Sequence, residues 1–221
     1  MPDALIRVAV ILGDHPIDVP AFYAMLRSMP DVDPLVQTLA DFTADFGGTV
    51  GDYDVVLFYN FHQNKPGEEL PWFKNQLFAG VEKLGRPGQG VFLLHHGCVA
   101  FGAWSTWTEL SGLRDRRLKP HHDETVTTAV ADRAHPVTVG VDDWTMTDET
   151  YEMPDALEED GNHILLTTDH PKSCGPLAWT RRFRESDVLC YLAGHDGEAL
   201  GHANVRRIIH QGIRWLAGRS G

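Results

Sequence analysis

Three stretches of this chain are apolar at nearly every position and too short for buried helices: Ile6 to Leu12, Tyr53 to Tyr59 and Gly90 to Leu94. Each reads as a β-strand with no polar face. Between them run segments with apolar residues at helical spacing, Val19 to Met29 after the first strand and Trp72 to Leu84, stopped by Gly85 and Pro87, after the second. Strands apolar on both faces need cover on both sides, and intervening helices supply the crossovers that parallel pairing requires. The expected architecture is an α/β/α sandwich on a mostly parallel sheet.

The second half changes character. Asp123 to Val130 alternates as a strand does, Val137 to Val141 is a short apolar run, and Met146 to Tyr151 is a third; these read as irregular strands inserted beyond the parallel core. Ile164 to Thr168, Leu177 to Phe183 and Val188 to Leu192 read as further strands, and the tryptophan-rich segment Phe101 to Leu110 as a helix. From His202 to Leu216, residues Val205, Ile208, Ile209, Ile213 and Leu216 share one helical face, with Gly218 as the stop. No repeat, linker or shift of composition divides residues 1–221, so a single domain is expected.

Charge and composition exclude several classes of function. With 19 basic and 31 acidic residues the net charge is −12, which repels a phosphate backbone, so no nucleic-acid partner is expected. The longest apolar run near the start, Val8 to Leu12, falls short of the roughly 7–15 residues of a signal sequence and the about 20 of a membrane helix. Neither export nor membrane attachment is expected. Cys98, Cys174 and Cys190 show no C-x-x-C spacing, so disulfides and a zinc ribbon are not indicated, and a reducing cytoplasm fits. No nucleotide cofactor is indicated, and a homo-oligomer is compatible with the sequence.

The 12 histidines are the chemically informative residues. His62 follows the second apolar strand, His95 and His96 follow the third, and His195 follows Gly194 at the end of the last, the edge where open α/β sheets bind ligands. Neutral imidazole can ligate a divalent metal or relay protons near neutral pH. His121 and His122 are adjacent on an expected strand and should point to opposite faces, so at most one joins such a site. His135-Pro136 reads as a rigid turn. Asp148-Glu149-Thr150-Tyr151-Glu152 offers carboxylates beside an aromatic ring, and either Asp148 or Glu149 could ligate metal, orient a histidine or act as a base. Trp107 reads as core, Trp104 as either core or a sugar platform, and Arg181 and Arg182 as structural ion-pair partners.

Taken in order, VFLLHHG, Trp104, His135-Pro136, Thr147-Asp148-Glu149-Thr150-Tyr151, Tyr191-Leu192-Ala193-Gly194-His195 and the terminal Gly212-Ile213-Arg214-Trp215-Leu216 resemble the ThuA-like (trehalose utilisation) family over nearly the whole chain. The resemblance implies a flavodoxin-like three-layer sandwich related to class I glutamine amidotransferases. In those enzymes a catalytic cysteine occupies the turn after the strand corresponding to Gly90 to Leu94. Here that turn holds His95 and His96, with Cys98 beyond it, and a thiolate must stand at the turn beside a base to attack an amide. Glutamine hydrolysis is therefore not expected, although His195 with Glu198 is similar to that superfamily's late His and Glu pair.

For function, the resemblance implies carbohydrate catabolism, and specifically a metal-assisted hydrolase or lyase acting on oxidised (3-keto) glycosides such as keto-disaccharides. It points to Glu149 over Asp148. The implied catalytic residues are His96, His195 and Glu149; His95, Trp104 and Tyr151 would contact substrate; His62, His96, Glu149 and His195 would hold a divalent metal, with His95 and His122 in reserve. Imidazole with carboxylate suits zinc, iron, nickel or manganese. Two alternatives stand beside this: a non-catalytic sugar- or metal-binding module, and a thiol enzyme built on Cys98.

Overall fold

The apolar runs become the centre of one large sheet. The computed structural model describes residues 4–45, 48–63, 80–102 and 104–219. Its strands are β1 (Ile6–Gly13), β2 (Val32–Thr38), β3 (Val55–Asn60), β4 (Gly90–Leu94), β5 (Lys119–Val130), β6 (Trp144–Glu152), β7 (His163–Thr167), β8 (Pro176–Phe183) and β9 (Ser186–Tyr191). The helices named below are α1 (Val19–Arg27), α2 (Leu39–Ala44), α3 (His96–Val99), α4 (Ser105–Ser111), α5 (Gly197–Gly201) and α6 (Ala203–Leu216). Every residue of β3 and β4 is buried, as a strand covered on both faces must be.

Successive side chains of these strands enter two separate cores. Val55, Leu57 and Tyr59 pack with Phe22 and Met25 of α1 and with Val205, Ile208, Ile209 and Ile213 of α6. Val56 and Phe58 face the other way, against Phe42 of α2 and Trp107 and Leu110 of α4. The three-layer expectation holds.

The expectation of a mostly parallel sheet does not. In the strand order β2-β1-β3-β4-β9-β8-β7-β5-β6, pairing is parallel from β2 to β9 and antiparallel from β9 to β6, so the sheet is mixed. Chain connection is the cause: only Arg184-Glu185 separate the paired residues Phe183 and Ser186, and so short a link can return the chain only antiparallel. Arg184 takes φ 54°, the left-handed twist that such a hairpin requires.

Sequence patterning also passes over β2 and α2. Pro34 interrupts β2, which is tolerated because β2 lies at the sheet edge and is only partly buried, so its pattern is neither alternating nor continuously apolar. α2 opens with a capping box in which Thr38 and Asp41 satisfy each other's backbone N–H groups. Val137 to Val141 is not a strand: the N–H groups of Thr138 and Val139 both bond the carbonyl of His135, making a turn in which Val137 and Val141 plug the core while Val139 stays exposed. The helix expected over Phe101 to Leu110 begins only at Ser105, as α4. Of the helix expected over Trp72 to Leu84, residues 72–79 lie outside the described residues and 80–82 are helical.

Although β6 is last in the hydrogen-bonded order, the sheet curls so that β6 meets the end of β9. The Asp148 carboxylate accepts the N–H groups of Gly194 at 2.9 Å and His195 at 3.1 Å, and the Cys174 N–H bonds the Tyr151 carbonyl. This closure brings the middle of the chain to the strand ends that bear the histidines. Among the described residues, no helix is long and apolar enough to cross a membrane.

Candidate functional site

The chain leaves β4 through His95, whose φ of 50° and ψ of −114° are unusual for any residue but glycine. The surrounding structure enforces this turn. The His95 N–H bonds the Tyr191 carbonyl at 2.6 Å, and the Cys98 N–H bonds the His95 carbonyl at 3.1 Å. Gly97 is required there, because a Cβ would stand 2.2 Å from the Phe58 carbonyl oxygen. Beyond α3, the buried Arg116 guanidinium donates to the carbonyls of Ala100, Phe101, Gly102 and Trp104, fixing the segment that follows. At the end of β9, Gly194 takes φ 111° and its carbonyl accepts the Tyr59 hydroxyl at 2.5 Å.

These turns aim four side chains at one point: one donor atom each from His95, His96, Glu149 and His195 lies within 4.8 Å of the others. His95 Nδ1 is 2.6 Å from the Leu192 carbonyl, so that nitrogen carries the proton and Nε2 is bare in the neutral ring. Nε2 then faces the Tyr151 hydroxyl at 3.1 Å, His195 Nδ1 at 3.2 Å and Glu149 Oε2 at 3.3 Å. Glu149 Oε2 is also 3.4 Å from His195 Nδ1 and 3.9 Å from His96 Nε2.

Glu149 Oε2 and both ring nitrogens of His96 are buried without a hydrogen bond. A bare imidazole nitrogen and a carboxylate oxygen at 3.3 Å repel unless a proton or a cation lies between them. Three imidazoles and one carboxylate form a donor set suited to a divalent transition metal, and the unpartnered atoms are the ones a metal would engage.

The electrostatics divide the groups. Burial, with neighbouring His95, pushes His96 far below the ordinary imidazole range, keeping it neutral and able to ligate. Burial alone would raise the Glu149 carboxyl, but the adjacent His195 and His95 rings outweigh it and hold Glu149 well below the carboxylate range. The adjacent Glu149 carboxylate in turn raises His195. Asp148, one residue away on β6, points to the opposite face and serves as the anchor of the 194–195 turn, so the two carboxylates have different tasks.

His62 is not part of the converging set. It stacks on Phe101 at 5.5 Å, its Nδ1 lies 2.9 Å from Asn60 Nδ2, and its Nε2 lies 3.6 Å from Asp14 at the end of β1. His95, not His62, completes the converging set, because β4 is paired directly with β9 whereas β3 lies one strand further away. His95 is fully buried and Tyr151 nearly so, placing both behind the site rather than on a substrate-facing surface. Trp104 is core, stacked with Trp107. Of the adjacent pair, His122 reaches Glu149 and His121 turns to Glu152, each through a ring nitrogen. Arg181 bonds Asn162 and Arg182 bonds Asp187, both structural. Glu198 is exposed in the first turn of α5.

Sequence reasoning overlooked His15. Its ring lies 3.9 Å from that of His96, and its Nδ1 is 2.6 Å from the Pro16 carbonyl, leaving Nε2 bare in the neutral form. The available signal was the one used for the other histidines, a position just past an apolar strand. Burial lowers the His15 pKa, with His195 and His95 adding to the effect.

Cys98 is buried, directs its sulfur at the Leu93 carbonyl, and has its thiol pushed far up by burial and by Cys190. It has none of the surroundings of a reactive thiolate.

Comparison with known proteins agrees with this fold. The ThuA family profile, described as trehalose utilisation, matches residues 14–216. A putative ThuA-like protein from Parabacteroides merdae superposes with a TM-score of 0.72 at 17% identity, covering 96% of this chain and 90% of that one. A putative GMP synthase component from Thermoplasma acidophilum superposes with a TM-score of 0.58 at 10% identity, covering 98% and 96%. A β-galactosidase from Bacillus circulans sp. alkalophilus gives 0.54 at 9% identity, over 92% of this chain and 31% of that one. At such identities the likeness is one of fold. No curated protein sequence matches the chain.

Proposed function

The chain belongs to the ThuA (trehalose utilisation) family, and on that premise we propose that it is a metal-assisted hydrolase or lyase acting on oxidised (3-keto) glycosides such as keto-disaccharides. The observation that supports this is the convergence of His95, His96, Glu149 and His195 with their unpartnered buried atoms. These four side chains would hold a divalent ion, which when bound would act as a Lewis acid toward the substrate's carbonyl and neighbouring hydroxyl oxygens.

The protein's own groups then divide the proton work. A ketone at C3 acidifies the C2 hydrogen. His15, with Nε2 bare and its neutral form favoured by burial, is suited to take that proton. The electrons of the C2–H bond form an enediolate; its π electrons shift to make the C1=C2 bond as C1–O breaks and the C3 carbonyl is restored. Water then gives its hydroxyl to C1 and its proton to the departing alkoxide while C2 regains the proton held on His15. The carboxylate pair of ordinary glycosidases is not needed for this route. The Leu192 carbonyl and the Tyr151 hydroxyl hold the His95 ring in one orientation throughout.

The test is incubation of the purified protein with a 3-keto-disaccharide, alongside metal analysis of untreated protein. Monosaccharide release should stop with chelator, return when metal is restored, and be lost in His96→Ala and His195→Ala. Undiminished release in both variants overturns the proposal. Binding of sugar or metal without product over long incubation would instead support a binding module, a reading favoured by the deep burial of three of the four donors.

A further inference from the structure

His122 is 60% exposed at its side chain, yet its Nδ1 sits 3.1 Å from Glu149 Oε1, an oxygen of a carboxylate that is only 4% exposed. An irregularity of β5 creates this contact. His121 pairs with Thr150 and Glu124 with Asp148, so His122 and Asp123 together oppose Glu149: two residues against one, a β-bulge. Asp123 takes φ 56° within it. On a regular strand His121 and His122 would diverge to opposite faces; the bulge lifts His122 over Glu149 and leaves His121 with Glu152.

A carboxylate can only accept, so in this close pair any shared hydrogen lies on His122 Nδ1. The contact distinguishes the two oxygens of Glu149. Oε1 lies 3.1 Å from His122, while Oε2 has no hydrogen bond and faces His95, His96 and His195. The terminal torsion of glutamate is broad, and without a fixed partner on Oε1 the carboxylate could turn away from the three rings.

We propose that His122 is a positioning residue, not a ligand: through the β5 bulge it clamps one oxygen of Glu149 so that the other is presented to the metal-binding cluster. This rests on the metal reading given above, and it concerns metal affinity before any turnover. Ligand-orienting partners of this kind typically contribute 10–100-fold to metal affinity.

The experiment measures Zn2+ binding by competition with a chromogenic chelator on wild type, His122→Ala and His122→Asn, with urea unfolding as a folding control. Asparagine carries an N–H close to the position of the histidine Nδ1. The expected result is a 10–100-fold loss of Zn2+ affinity in His122→Ala, substantial recovery in His122→Asn, and unfolding midpoints unchanged by either. If wild type binds Zn2+ and His122→Ala binds it equally tightly, the positioning role is overturned while the metal reading stands. Equal weakening in the alanine and asparagine variants also overturns it, since the clamp is then not the N–H donor. If wild type binds no Zn2+, the metal reading itself fails and the positioning role falls with it.

Discussion

Replacing Asp148 with asparagine should destabilise the protein, because this side chain ties β6 to the turn that carries His195. Asp148 is 3% exposed, and its oxygens accept the N–H groups of Gly194 at 2.9 Å, His195 at 3.1 Å and Glu149 at 2.9 Å. Asparagine keeps the volume but only one acceptor oxygen. Its amide nitrogen must then face a backbone N–H, so at least one buried donor loses its partner and the remaining bonds lose their charge assistance. Each orphaned donor costs about 1–3 kcal/mol, and relief from burying a carboxylate offsets part of the total. The net loss should be about 2–4 kcal/mol. With a urea slope of about 2.5 kcal/mol per molar for a chain of this size, the midpoint should fall by about 1 M. Equilibrium unfolding followed by both far-UV circular dichroism and tryptophan fluorescence measures it, and coincidence of the two curves checks two-state behaviour. A midpoint within about 0.2 M of wild type would refute the assignment of Asp148 as the closure anchor.

Gly97→Ala should be among the most damaging single-methyl additions, since the new Cβ would meet the Phe58 carbonyl oxygen at 2.2 Å and neither backbone can yield without disturbing β3 or the His95 turn. A loss of about 4 kcal/mol or more is expected, and an unchanged melting temperature would contradict it. Asp31 bonds both His210 and Arg214 of α6; burial raises its carboxyl, but the His210 hydrogen bond and charge, with Arg214, outweigh that and leave it lowered. A depressed carboxyl stabilises the fold above its unfolded value near pH 4 and loses that effect as pH falls through the lower folded value. Asp31→Asn should therefore be about 1 kcal/mol less stable than wild type at pH 6, with the gap closing in acid; a gap that widens on acidification would be inconsistent.

Legibility in the sequence followed burial. β3 and β4 are covered on both faces, so their composition alone announces them, and the amphipathic α6 shows its apolar face by spacing. β2 carries a proline at a solvent-facing edge, and its mixed pattern matches no period. The histidines after β4 and β9 were readable as a ligand-binding edge because strand ends are where parallel sheets open. The choice between Asp148 and Glu149 was not readable from their residue types. It depends on which face of β6 meets the end of β9.

By itself, then, the chain's order of residues determined a layered α/β core, the absence of a nucleophilic thiol from the turn after β4, and a set of imidazoles at one rim. Those are consequences of local composition and of strand-and-helix periodicity. Only the folded arrangement decided that β5 and β6 curl back antiparallel, that His95 rather than His62 joins His96, Glu149 and His195, that His15 lies against them, and that a bulge turns His122 inward. Residues 95 and 195 meet because β4 and β9 are hydrogen-bonded neighbours, and Glu149 reaches them because Asp148 is bonded to the far side of the same turn. Contacts between residues so distant in sequence are fixed by strand pairing and by the balance of buried polar groups, neither of which a local pattern records.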